Sequence, residues 1–468
     1  MKKKKIAQLC AATMAGVMLL AGCGSSGNSD NASSAPAANS PSDNAASAAA
    51  DTGNSEAPAT DTGNSTDSGE VVEISFTHWG GDDTYEGDYK ARIEAFMEQH
   101  PNIKVTVQTV ADDYETKIQT QYAGNKLPDV VQVAENGIGF ATKGMFLDLS
   151  DRIAADGIDT NALWSNVIDQ YTYNDEVFGL PDRGGCTIMY YNKDLFDDAG
   201  LAYPDENWTL DDYFTAVEKL TKDTDGDGVI DQWGTTSTHY QAIWGYMFQA
   251  NGGSIIKDGQ AVVNSPENLE LLTKYNDAYQ NGYVVSYEEL EQANAGGDAY
   301  FQQGRLGMNL TGMWCIKSYA EEEGLNFDIS TVPKGIQDAG WPMGSALAIS
   351  KNSSPEKQEA AWEFVKYMTS TDAQAMLGDG IADCPANLEV LGSDAFTSQQ
   401  VNGKDLSLNI IETSMERVTI DGLFRGPYYQ EIIDEARNQI KEMLLGRLTP
   451  EQCLETMQTN FEDILSRY

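Results

Sequence analysis

Between residues 72 and 133 the sequence repeatedly switches its hydrophobic period, and that switching limits the folds open to it. Val72-Glu73-Ile74-Ser75-Phe76-Thr77 alternates apolar and polar residues, as a half-buried strand does. Residues 88–100 carry Ile93, Phe96 and Met97 at helical spacing, and Pro101 stops the helix. Residues 103–107 alternate again, 114–122 read as a helix, and 128–133 read as a short apolar strand entered from a turn. Strand, helix, strand, helix, strand predicts an α/β fold with a mostly parallel sheet and helices packed on it. Ligands of such sheets bind beyond the carboxyl ends of the strands. Trp79 and Glu135 both fall at predicted strand ends. The last third is helix-rich: 357–369 presents Ala361, Phe364, Val365 and Met368 on one face, and 428–445 and 450–465 close the chain as helices.

The segment before this pattern has a different character. Lys2 to Lys5 form a positive cluster, followed by an apolar stretch over 6–20 that is short for a membrane span. It ends in Leu20-Ala21-Gly22-Cys23, which resembles a bacterial lipobox. That resemblance implies that Cys23 is acylated and tethers the protein to the outer face of a membrane; an ordinary cleaved signal or an uncleaved anchor are the plainer readings. Residues 24–70 are almost wholly Ser, Ala, Asn, Asp, Gly, Thr and Pro. Such a stretch buries too little apolar surface to offset its ordering entropy and is expected to be a disordered linker, spanning roughly 38 Å as a flexible coil. The remainder, 71–468, is too long for one simple core and suits two lobes.

Charge narrows the partners. The chain has 72 acidic residues against 30 Lys and Arg, a formal net charge of −42. A body this acidic repels phosphate backbones, so no nucleic-acid partner is expected, and strongly anionic small ligands are disfavoured. Cys186, Cys315, Cys384 and Cys453 are scattered and fit no metal spacing.

Several stretches together carry a resemblance. Val177-Phe178-Gly179-Leu180-Pro181 precedes Met189-Tyr190-Tyr191-Asn192-Lys193-Asp194-Leu195-Phe196, then Ala199-Gly200-Leu201 and Trp208-Thr209-Leu210. Asn251-Gly252-Gly253, Gly312-Met313-Trp314 and Ala346-Leu347-Ala348-Ile349-Ser350-Lys351 follow. This resembles the extracellular solute-binding proteins of carbohydrate ABC importers, the group that includes maltose-binding protein. The resemblance implies a type II periplasmic-binding-protein-like fold of two α/β lobes that close on a sugar about a hinge. It places lobe 1 at 71–183 and 334–386 and lobe 2 at 187–331 and 390–468. The crossings would lie near 182–185, 332–333 and 385–388, which are rich in Gly and Pro.

The side-chain chemistry points the same way. The chain has three histidines and no HExxH, GxSxG or P-loop, so nothing supports a zinc protease, a hydrolase elbow or a nucleotide site. It has 8 Trp and 22 Tyr. A sugar presents an apolar C–H face and a rim of hydroxyls, which aromatic plates and fixed polar groups match. Candidate plates are Trp79, Tyr240, Trp244, Trp314 and Trp341; candidate polar groups are Asp82, Asp83, Glu135, Asn136, Arg183 and Arg425. Tyr240 and Trp244 share a helical face, which a core stripe would also do. Arg425 reads equally as half of a surface ion pair, and Glu135-Asn136 as a helix cap. Trp164, Trp208, Trp233 and Trp362 read as structural.

One motif stands apart. In Asp223-Thr224-Asp225-Gly226-Asp227-Gly228-Val229-Ile230-Asp231, the acids fall at positions 1, 3, 5 and 9 of a calcium loop, with Val229 as the carbonyl ligand. Gly234 stands where such a loop has its bidentate Glu. A structural Ca2+ held by Asp223, Asp225, Asp227, Val229 and Asp231 is expected, against a solvated turn. No catalytic cofactor is expected.

These readings converge on a membrane-tethered, monomeric solute-binding protein. It would capture a neutral oligosaccharide and deliver it to the permease subunits of an ABC importer, without catalysing a reaction. The rivals are a secreted glycoside hydrolase, which needs two carboxylates about a scissile bond, or a binding protein for a peptide or a polyol phosphate.

Overall fold

The computed structural model describes residues 70–236, 240–293, 296–381 and 383–468; Cys23 and the expected linker lie outside them, as does the side chain of Asp83. Two sheets organise the chain. The first uses β1 (Val72–Trp79), β2 (Ile103–Val110), β3 (Val130–Val133) and β4 (Leu180–Arg183). The chain then builds β5 (Ile188–Asn192), β6 (Met308–Thr311) and β7 (Phe327–Ser330) into a second sheet, ordered β6-β5-β7 and antiparallel throughout. It then returns to lay β8 (Ser345–Ile349) between β3 and β4, giving the order β2-β1-β3-β8-β4. β1 runs parallel to both β2 and β3, while β8 is antiparallel to both neighbours.

Helices cover both sheets. Of these, α1 (Lys90–Gln99), α2 (Tyr114–Ala123), α3 (Leu210–Leu220), α4 (Gln241–Ala250), α5 (Cys315–Glu321), α6 (Pro355–Met368), α7 (Tyr429–Leu444) and α8 (Pro450–Leu465) matter below. Their ends follow local chemistry. Thr209 and Asp212 form a reciprocal capping box on α3, and Thr449 and Gln452 form another on α8. The Ser354 side chain caps α6, with Pro355 at its first turn. The first helical region starts earlier than its apolar spacing indicates. It opens at Asp82–Thr84 and widens into a π-type turn over Tyr85–Tyr89, which buries Asp88 and Tyr89. Among the described residues, no helix is long and apolar enough to cross a membrane.

Three chain crossings run side by side between the sheets. Arg183 bridges Pro385, and Cys186 bridges Pro342. Gly184 N–H donates to the Cys384 carbonyl at 3.0 Å, and Met343 N–H to the Gly185 carbonyl at 2.8 Å. Gly185 has φ +147°, a backbone that side-chain-bearing residues rarely adopt. The second crossing is a correction to the expected boundary: it lies at residues 342–344, not 332–333. Lys334 still bridges Thr209, Gln337 N–H donates to Ala250, and Trp341 sinks into the core that α4 and α7 share. Residues 334–341 therefore pack with the second lobe.

Candidate functional site

Between the two sheets lies a cavity of about 1090 Å3. Trp79, Glu86, Asp88, Glu135, Arg183 and Ser345 line it from the first lobe, and Tyr240, Met313, Trp314, Lys317 and Glu321 from the second. Gly184, Gly185, Cys186, Met343 and Asp383 of the crossings form its floor.

Trp79 is the last residue of β1, so the strand itself delivers the indole to the cleft mouth. Its ring meets Tyr114 edge-on at 5.7 Å, and the Arg183 guanidinium lies 5.2 Å from its centroid. Trp314 sits at the N-terminus of α5 and stays 46 % exposed. Its ring folds over Gly312, where any Cβ would come within 1.9 Å of the indole. The glycine in Gly312-Met313-Trp314 is thus the seat of the plate.

Arg183 is the buried charge of the site. Its Nη1 donates to Asp88 at 2.9 Å and to Asp383 at 2.7 Å, and its Nε donates to Ser345 Oγ at 3.1 Å. Ser345 in turn donates to Asp182 at 2.7 Å. The Nη2 group of Arg183 is buried without a hydrogen-bond partner. Burial pushes the Asp88 carboxyl up to about 7, against the pull of Arg183. Glu135, partly exposed at the cleft wall but ringed by protein atoms, is likewise pushed up to about 7 by burial.

Of the sequence candidates, Trp79, Glu135, Arg183, Tyr240 and Trp314 share this cleft. The other candidates with described side chains do not line it. Trp244 and Trp341 are core residues: Trp341 is fully buried, nested against Gly245 and 4.9 Å from the Phe424 ring, and Trp244 packs beside it at 6.5 Å. Asn136 is buried, with its Oδ1 unpartnered and no capping bond from its side chain. Asp82 is exposed on the first helical turn. Arg425 pairs with Asp169 at 3.4 Å on the surface. Asp88, Ser345, Lys317 and Asp383 went unnoticed in the sequence. Asp88 reaches the cleft only through the π-type turn, which has no apolar-spacing signature.

In the Asp-rich loop, carboxylate oxygens of Asp223, Asp225 and Asp227 all lie within 4.8 Å of one another. Asp231 lies outside this trio, and its carboxylate accepts from the Thr224 hydroxyl at 2.6 Å and backbone N–H at 2.9 Å. Val229 is exposed at the tip.

The chain belongs to the bacterial extracellular solute-binding protein family, whose model matches residues 91–402. It is 26% identical over 419 residues to a binding protein of Brucella abortus, covering 86% of this chain and 95% of that one. It is 25% identical over 312 residues to a maltooligosaccharide ABC transporter solute-binding lipoprotein of Streptococcus pneumoniae, covering 64% of this chain and 70% of the relative. Among solved structures, it resembles an ABC substrate-binding protein of Listeria monocytogenes in complex with cycloalternan. The TM-score is 0.76 at 26% identity, covering 85% of this chain and all of the other.

Proposed function

We propose that this protein captures an oligosaccharide outside the cell membrane, anchored through an acylated Cys23, and passes it to the permease subunits of an ABC importer. The observation that carries the reading is the pair of half-open indoles, Trp79 from one lobe and Trp314 from the other, on a single cleft with a polar rim. Aromatic plates match the apolar faces of pyranose rings, and the rim supplies fixed hydrogen-bond groups. A cavity of about 1090 Å3 exceeds what one hexose fills and suits several linked rings. The maltooligosaccharide named for the Streptococcus relative and the cycloalternan bound by the Listeria one add support. Binding energy would come from apolar area and hydrogen bonds buried as the lobes close, with no bond made or broken.

The test is a thermal-shift screen against a glycan panel, followed by calorimetric titration and product analysis. A saccharide retained intact at one per protein supports the reading. Cleavage of the saccharide, or no stabilisation by any glycan, overturns it.

A further inference from the structure

The cleft's charges are unevenly disposed. Five carboxylates line it, from Glu86, Asp88, Glu135, Glu321 and Asp383, against two cations, Arg183 and Lys317. Arg183, the buried cation, is not placed to receive a ligand anion; Lys317, on the second-lobe wall, is the one that stays open. Arg183 already holds two carboxylates, at 2.9 and 2.7 Å. What it has left is the buried Nη2 amino group, two N–H donors suited to hydroxyl acceptors. Lys317 is exposed on α5, one helical turn from Glu321.

Glu135 is in the opposite position. Among the described residues no hydrogen bond or ion pair from another side chain reaches its carboxylate. The cation that acts on it at a distance, Arg437, donates its fork to Gln241 at 3.0 and 2.6 Å. A carboxylate in a closing cleft, with no resident counter-ion, favours a donor from the ligand, and a charged donor over a neutral one.

Resting on the saccharide reading, we propose that Glu135 makes this cleft sort saccharides by charge. A ligand bearing a protonated amine binds more tightly than its neutral parent, and a ligand bearing a carboxylate is rejected. The ordering follows from what each ligand brings. The amine supplies the counter-ion that Glu135 lacks, while a uronate enters a cleft where carboxylates outnumber cations and finds no free guanidinium fork.

The experiment is calorimetric titration of the full-length protein with maltotetraose, with the same tetramer carrying amines in place of its primary hydroxyls, and with the form oxidised there to carboxylates. A matching cellotetraose series covers the other linkage. The amine form should bind roughly tenfold tighter than the neutral parent, and the carboxylate form at least roughly tenfold weaker. In Glu135→Gln the ratio of amine to neutral affinity should fall to about one. A carboxylate form that binds as well as the parent, or an amine advantage that survives Glu135→Gln, overturns the charge sorting and leaves the saccharide reading standing. Failure of every member of both series and of the wider glycan panel to bind overturns both.

Discussion

Trp314 and Trp362 separate two uses of the same side chain. Trp314 is exposed in the cleft, whereas Trp362 is buried on α6 and its indole N–H donates to Asp156 at 2.7 Å. Truncating a central aromatic anchor costs upwards of about 2 kcal/mol in binding. Trp314→Ala should therefore weaken saccharide binding at least roughly tenfold and leave the unliganded melting temperature unchanged. Trp362→Ala should do the reverse, losing roughly 3–5 kcal/mol of stability. Calorimetry and thermal melts of both variants check the pair. Glu135 gives a pH test. Its carboxyl is raised from 4.5 to about 7 by burial, so across that interval the folded state keeps a proton that the unfolded chain has lost. Stability from this group is complete below pH 4.5 and is lost as pH rises through 7. Glu135→Gln removes the term, so the variant should gain melting temperature relative to wild type over that window, with no gain below it. Asp88 titrates in the same range, so the comparison must be between the two proteins and not along one pH curve.

At the scale of elements, local chemistry was readable and long-range packing was not. The strands at 72–79 and 103–110 and the span of α8 follow from alternation and apolar spacing within a few residues, while the Ser354-Pro355 start of α6, two residues before the expected 357, was passed over. Trp244 and Trp341 were misread because a half-buried plate and a core residue carry the same sequence signal. Only the seat at Gly245 distinguishes them, and it is nearly a hundred residues away in the chain from Trp341. A Cβ at Gly245 would lie 2.1 Å from the Trp341 ring. Gly245→Ala should thus destabilise the second lobe by about 1–3 kcal/mol, measured by urea unfolding. The Asp223–Asp231 loop is the other local motif to be tested. If it holds calcium, chelator should lower the melting temperature of the wild type and leave Asp225→Ala/Asp227→Ala unmoved. Equal melts of the wild type with and without chelator would return the loop to a solvated turn. Without a twelfth-position acid, its affinity should be weak, with Kd of about 10⁻⁴–10⁻³ M.

Across the whole molecule, one expected crossing differs from the structure. Pro333 looked like a boundary, yet Lys334 to Trp341 remain with the second lobe because Trp341 is anchored there. The proposed tether belongs to this scale too. Cys23→Ala should abolish incorporation of a fatty-acid analogue and release the protein from membranes; undiminished label on the variant would end the lipobox reading. A last consequence concerns how the molecule is assembled. β8 fills the gap between β3 and β4, so the first sheet stays split until residues 345–349 arrive, after the second sheet's strands have been made. A chain emerging from an export channel would until then carry two unpaired strand edges. The sheet that starts first in the sequence is thereby closed only after the other has been made, and a fragment ending before Ser345 should aggregate instead of folding as half a protein.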